Sequence, residues 1–162
     1  MTLGDITILQ QASSQGGRGS RTYNVAAGAT AIYAGEPVIR ALGATSVTVM
    51  LTNSPVVATT YVAGIAETTS THTASVAGTV QVYPTTNQTT WLIAPKVAAS
   101  WDTQAEYDAL VGYRVLIDLT SGVYTILVAD GATYGCVIMP LDIGVYPGKV
   151  AFAFRNGCSD LA

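Results

Sequence analysis

The sequence predicts an all-β protein: an antiparallel β-barrel or β-sandwich, jelly-roll arrangements included, with one short helix and an extended N-terminal arm. Three observations carry that expectation. From Tyr23 onward, short segments place β-branched or aromatic residues at every second position. Glycine, proline and Asn/Asp clusters separate these segments at short intervals, as in sandwiches and barrels. Helix signals are scarce, and only one stretch carries both a start and a stop.

Residues 1–22 read as an arm and residues 23–162 as a single β domain. The arm opens with the alternating stretch Ile6-Thr-Ile-Leu9. It continues as Gln10-Gln-Ala-Ser-Ser-Gln-Gly-Gly-Arg-Gly-Ser-Arg21, which is small, polar and glycine-rich and has the texture of a flexible linker. An apolar patch on such a linker can dock on a neighbour and order there. Ile6, Ile8, Leu9, Arg18 and Arg21 are therefore the candidate partner-binding residues.

In the domain, the alternating segments are Ser46-Val-Thr-Val-Met-Leu51, Thr79-Val-Gln-Val-Tyr83, Tyr113-Arg-Val-Leu-Ile-Asp-Leu119, Val123-Tyr-Thr-Ile-Leu-Val128 and Lys149-Val-Ala-Phe-Ala-Phe-Arg155. Thr120-Ser-Gly122 joins two of them as a hairpin. Asp130-Gly131 has the composition of a type I′ turn leading into Thr133-Tyr-Gly-Cys-Val-Ile-Met139, so the three runs predict a meander. Phe152 and Phe154 alternate with alanines and fall on one face of the last strand, where core packing explains them. The helical insertion spans 103–111. Thr103 and Glu106 have the spacing of a capping box, Gly112 can close the far end, and Trp101 and Tyr107 are its anchors on the sheet. No repeat of fixed period stands out. The recurring Ala-Gly pairs read as tight-turn usage rather than duplication.

Composition narrows the function. The chain has 162 residues, of which 49% are hydrophobic and only 10% charged, with 7 Lys+Arg, 10 Asp+Glu and a net charge of -3. Soluble domains carry about 25% charge. Seven cations in an acidic chain do not make the basic stripe that phosphate binding requires, so no nucleic-acid partner is expected. Mean hydropathy is +0.39, yet the apolar runs end at Glu67 and Asp130, far short of the roughly 20 residues of a membrane span. The start, MTLGDITILQQ, lacks the basic and long apolar regions of a signal peptide. A soluble chain so poor in charge reads as one whose surface is covered by something else, since obligate interfaces resemble a core cut in half.

Signals for catalysis are weak, and no catalytic, cofactor or metal site is expected. His72 is the sole histidine and lies in a hydroxyl-rich segment that reads as an exposed loop, so neither a multi-histidine metal site nor a positioned triad is indicated. Gly16-Gly-Arg-Gly19 lacks the flanking strand, helix and Gly-Lys-Ser/Thr ending of a phosphate loop. Asp102, Glu106 and Asp108 are explained by helix capping and the helix dipole. Asp118, Asp130, Asp142 and Asp160 are scattered and read as turn residues. Cys136 reads as a small buried hydrophobe and Cys158 as a reduced thiol, although their pairing is left open. Nine tyrosines against two tryptophans suit an interface or a sugar site equally.

Taken together, the polar arm, Tyr23-Asn-Val-Ala-Ala-Gly28, Ala34-Gly-Glu-Pro-Val38, Val62-Ala-Gly-Ile-Ala66 and an Ala/Thr-rich β body resemble the small cement or decoration proteins of tailed-phage capsids. The resemblance spans residues 20–83 in texture and the rest in composition. It implies a β module without enzymatic activity or cofactor, usually a homotrimer. Such a module sits on the capsid exterior of a virion assembled in the bacterial cytoplasm and binds the major capsid protein, with no membrane partner. It also implies an N-terminal arm reaching across the shell, where Ile6 and Ile8 could add a strand to a capsid edge and Arg18 and Arg21 could face acidic patches. The alternative is a receptor- or carbohydrate-binding module of the fibre-tip or lectin-like kind.

Overall fold

The protein is mostly β, its described residues forming two sheets and one short α-helix. Its computed structural model describes residues 6–10, 19–51, 55–57, 61–85, 89–127, 129–156 and 158, with backbone alone at 7–10 and 100. The strands are β1 (Thr7–Gln10), β2 (Arg21–Val25), β3 (Pro37–Arg40), β4 (Thr48–Val49), β5 (Tyr61–Ala66), β6 (Gly78–Pro84), β7 (Thr90–Pro95), β8 (Arg114–Thr120), β9 (Val123–Leu127), β10 (Cys136–Ile138) and β11 (Val150–Phe154). The helix α1 spans Gln104–Leu110. Strand β2 begins at Arg21, two residues before the boundary drawn from the sequence.

The N-terminal sheet runs β2-β6-β5-β3-β4. Its inward positions are β-branched: Val25, Val38, Val47, Val62 and Val82 are fully buried. Gly64 lies on β5 at φ +156. A Cβ there would stand 1.9 Å from the Tyr83 carbonyl oxygen, so glycine is what lets β6 close on β5. Opposite it, the β3–β5 register shifts between Val38 and Ile39. A parallel bridge between Asn24 and Ser46, with Val47 N donating to Asn24 O at 2.9 Å, brings the far edge back to β2.

The C-terminal sheet runs β7-β11-β10-β8-β9, and β9 returns to β7 through a parallel pairing of Thr125 and Ile126 with Ala94 and Pro95. Lys96 and Asp118 brace this seam: Lys96 Nζ lies 2.5 Å from Asp118 Oδ2, which also accepts from Thr120 Oγ1 at 2.7 Å. Asp118 is thus a buried residue of β8 rather than a turn residue. The hairpin at Thr120-Ser-Gly122 is present, with Ser121 at φ 52 and Gly122 at φ 78, the left-handed pair of a type I′ turn.

The predicted meander is corrected. Strand β10 pairs with β8 and β11, not with β9. Asp130 does not sit in a left-handed turn. Its carboxylate accepts from Arg114 N, Nε and Nη2 at 3.0, 2.9 and 2.8 Å, which carries the chain across the end of β8 to that strand's other edge.

The helix forms where capping predicts it. Thr103 Oγ1 accepts from Glu106 N, and Glu106 Oε2 accepts from Thr103 N. Seven residues do not hold a helix in water, so packing must. Tyr107 is fully buried, its ring centroid is 5.8 Å from that of Trp101, and its hydroxyl donates to Met139 O and accepts from Ala151 N, both at 2.9 Å. Phe152 and Phe154 stack edge to face at 5.3 Å in the core. The alternating Ala151 and Ala153 are buried as well, so β11 is covered on both faces.

The two sheets share one continuous apolar core. They meet where Val56 bridges Tyr134 in antiparallel fashion, where Tyr124 Oη donates to Met50 O at 2.7 Å, and where Val62 N donates to Cys158 O at 2.6 Å.

Candidate interaction surface

The arm is seated on its own chain at its start. Strand β1 pairs antiparallel with β7, Thr7 opposite Leu92 and Ile8 opposite Trp91, with a bulge before Gln10. Ile6 is buried in the core. Thr7, Ile8 and Gln10 thus pair with β7 and Ile6 packs in the core, where the sequence expectation offered Ile6, Ile8 and Leu9 to a neighbour. The physical reason is local: β7 has an unfilled edge beside its short parallel contact with β9, and an alternating segment satisfies those backbone groups. Arg18 lies outside the described residues.

Arg21 opens β2 opposite Val82 and its side chain is exposed. The ion pairs Lys96–Asp118 and Arg114–Asp130 do not involve it. Beside it, Ser20 Oγ donates to Glu67 Oε2, and Tyr83 Oη donates to Glu67 Oε1 at 3.0 Å. That bond to the carboxylate raises the Tyr83 phenol above its ordinary pKa. Glu67 thus clamps the point where the arm enters the sheet.

The side chains that chemistry would have used are engaged in the fold. His72 is half-buried, not a surface residue. Its Nε2 lies 2.8 Å from Ala29 O and its Nδ1 3.1 Å from Ser70 Oγ. A carbonyl only accepts, so Nε2 donates its N–H to Ala29 O. This ring ties residues 67–77 to residues 26–32. Glu106 is held by Thr103, which lowers its carboxyl; the neighbouring Asp102 is raised by Glu106. Gln104 donates to Asp108 Oδ1 and Leu141 O and accepts from Ile143 N, so the open groove along Gln104, Asp108 and 140–144 is lined by polar groups that partner one another. Glu36, within Ala34-Gly-Glu-Pro-Val38, is buried; burial raises its carboxyl, against a 2.7 Å bond from Tyr33 N. Cys136 and Cys158 are buried free thiols, both raised by desolvation, Cys158 to about 11.

What the sequence missed is a set of large apolar side chains in loops. Leu42, Val145, Leu51, Val76 and Val97 are 85, 64, 62, 62 and 53% exposed, and Tyr33, Tyr113 and Tyr146 are also exposed. The signal was available in Arg40-Ala-Leu-Gly43 and Gly144-Val-Tyr-Pro147, where apolar residues flank turn glycines and prolines. Both tryptophans are buried. Among the described residues, no three His, Cys, Asp or Glu side chains converge as a metal site, and no helix is long and apolar enough to cross a membrane. Searches of protein-family models, curated proteins and solved structures return no match to this chain.

Proposed function

We propose that the chain is a structural protein of a phage virion: a cement or decoration protein that binds the capsid exterior as a homotrimer and reinforces contacts between major capsid proteins. The observation that supports this most is the pairing of a 10% charged chain with large apolar side chains standing out of its loops. Apolar side chains that gather on a surface mark interaction sites, and exposed tyrosines such as Tyr33, Tyr113 and Tyr146 are of the aromatic kind enriched at interfaces. The resemblance in Ala34-Gly-Glu-Pro-Val38 and Val62-Ala-Gly-Ile-Ala66 points the same way. Multivalency would supply the affinity, because later contacts of a trimer form at high effective concentration. With β1 on its own chain, Leu42, Leu51, Val97 and Val145 are the favoured contacts, with Arg21 beside the arm.

The test is solution mass by light scattering, followed by cosedimentation with expanded phage shells. Three times the 16.7 kDa chain mass, and a saturable pellet fraction that falls when Leu42 and Val145 are both changed to Ser, is the expected result. A monomer that stays in the supernatant overturns the reading. Binding on a glycan array would favour the receptor-binding alternative, which burial of Trp91 and Trp101 leaves to tyrosines alone.

A further inference from the structure

The two sheets have the same wiring. In each, the first strand pairs with the fifth, the fifth with the fourth, the fourth with the second and the second with the third, and the third returns to the first by a parallel contact. The identity extends to register. Thr22 opposite Gln81 corresponds to Leu92 opposite Ala151 (22 to 92 and 81 to 151, a shift of 70 in each strand). Ala66 opposite Val82 corresponds to Ile138 opposite Phe152, shifts of 72 and 70. Val38 opposite Gly64 corresponds to Val115 opposite Cys136, shifts of 77 and 72. Ile39 opposite Thr48 corresponds to Leu116 opposite Leu127, shifts of 77 and 79. The parallel contact of Asn24 with Ser46 then has to fall on Ala94 and Thr125, shifts of 70 and 79, and it does. One shift per strand satisfies all five pairings as far as the bulge after Val38; beyond it, Ile39 opposite Val62 and Arg40 opposite Tyr61 have no counterpart, because Tyr134 bridges Val56 instead.

The turn into the second strand repeats atom for atom. Gly35 and Gly112 are left-handed, at φ 86 and 89. Each donates its N–H to the last residue of the fourth strand, Ala66 O at 2.8 Å and Ile138 O at 2.9 Å. Those residues donate back to Glu36 O at 2.8 Å and Tyr113 O at 3.0 Å. Glu36 N and Tyr113 N in turn reach Tyr33 O and Leu110 O at 3.1 and 3.0 Å. Equivalent inward positions are buried alike: Val38 with Val115, Val80 with Val150, Val82 with Phe152 and Val47 with Ile126.

The contact between the halves has two-fold character. Val57 N donates to Thr133 O and Gly135 N to Pro55 O, both at 2.8 Å, on either side of the Val56–Tyr134 bridge. Exchanging the halves (57 with 135, 55 with 133, a shift of 78) turns one bond into the other. Any antiparallel bridge exchanges its bonds in this way; what is specific is the shift of 78, next to the 79 of the preceding third strand, so that equivalent segments of the two halves meet, as in an isologous contact.

We infer that the chain is an internal duplication: two copies of one five-stranded module, residues 21–84 and 90–154, joined as a covalent pseudo-dimer about an axis through Val56 and Tyr134. Each chain then offers a partner two versions of every surface the module carries. If the trimeric capsid role proposed above holds, three chains bring six modules to the shell; the duplication itself does not depend on that role.

Two measurements on the full chain test it. Inter-strand NOEs in the labelled protein should show each of the five strand pairings of one module at its shifted counterpart in the other; a counterpart missing from any one of the five, or no Val56–Tyr134 contact, overturns the inference. A circular permutant, residues 86–162 followed by a flexible Gly/Ser linker of about 20 residues and then residues 1–85, exchanges the order of the modules. It should keep the far-UV spectrum and a single cooperative melt. A permutant that does not fold refutes the claim that the two modules are equivalent units whose order can be exchanged.

Discussion

Tyr107→Phe removes one oxygen and nothing else, which makes it a clean probe of how α1 is fastened. The Tyr107 hydroxyl is both donor and acceptor, to Met139 O and from Ala151 N, each at 2.9 Å. Burial pushes its phenol up to about 12, so it is a neutral O–H at any ordinary pH and serves in both roles. In the phenylalanine variant the ring still fills its site against Trp101. Ala151 N–H, in a fully buried residue, is left with no partner. An orphaned buried donor costs about 1–3 kcal/mol, and the lost bond to the half-buried Met139 carbonyl adds about 1 kcal/mol. The expected loss is about 3 kcal/mol, or about 6–12 °C in Tm for a chain of this size. Urea unfolding followed by tryptophan fluorescence measures it, with the midpoint moving and the slope m unchanged. A loss below about 0.5 kcal/mol would mean that Ala151 N–H finds another acceptor and that the hydroxyl is not the fastening.

Three further outcomes follow from the same kind of argument. His72→Ala removes a ring that bridges Ala29 O and Ser70 Oγ; it should cost about 1–2 kcal/mol and speed amide exchange at Thr71 and Thr73, and unchanged exchange would contradict the bridging role. The Arg114 guanidinium holds the Asp130 carboxyl down, to about 2 from its ordinary 3.8; a depressed carboxyl stabilises above its ordinary value and loses that contribution as pH falls through the folded one, so stability should decline between about pH 4 and 2 and Asp130→Asn should flatten that decline, the effect being modest because both side chains are part-exposed. Deleting residues 1–10 uncovers the core at Ile6 and the edge of β7, and should cost about 2 kcal/mol by urea unfolding; a neutral deletion would show that β1 is not bound to β7 in solution.

How much was legible in the sequence depends on the range of the interaction. Thr103, Glu106 and Gly112 specify a helix start and stop within ten residues, and Tyr107 and Trp101 stand out as its anchors because they are the large apolar residues beside it. Ser121-Gly122 specifies a hairpin for the same local reason. Asp130-Gly131 carried an equally good turn signal and was misread, because the acid is taken by Arg114 from sixteen residues away. His72 looked like a loop residue since nothing near it in sequence reveals that Ala29 O is waiting. Ile6-Thr-Ile-Leu9 announced a strand without naming its partner, because an alternating segment fits any open edge.

By itself, the sequence determined that this protein is built of short strands with one capped helix, that only 10% of its residues are charged, and that its apolar runs are too short for a spanning helix. Those are matters of local pattern and composition. Only the tertiary structure decided which strands are neighbours, where the arm's first strand lies, and that one wiring diagram occurs twice. No fixed period could have revealed the duplication, since the spacing between equivalent residues drifts from 70 to 79 as loops lengthen and shrink, and few identities survive beyond Gly35 with Gly112, Val38 with Val115 and Val80 with Val150. Backbone pairing tolerates almost any side chain of suitable shape. Register and hydrogen-bond geometry therefore preserve a symmetry that the residues no longer spell out.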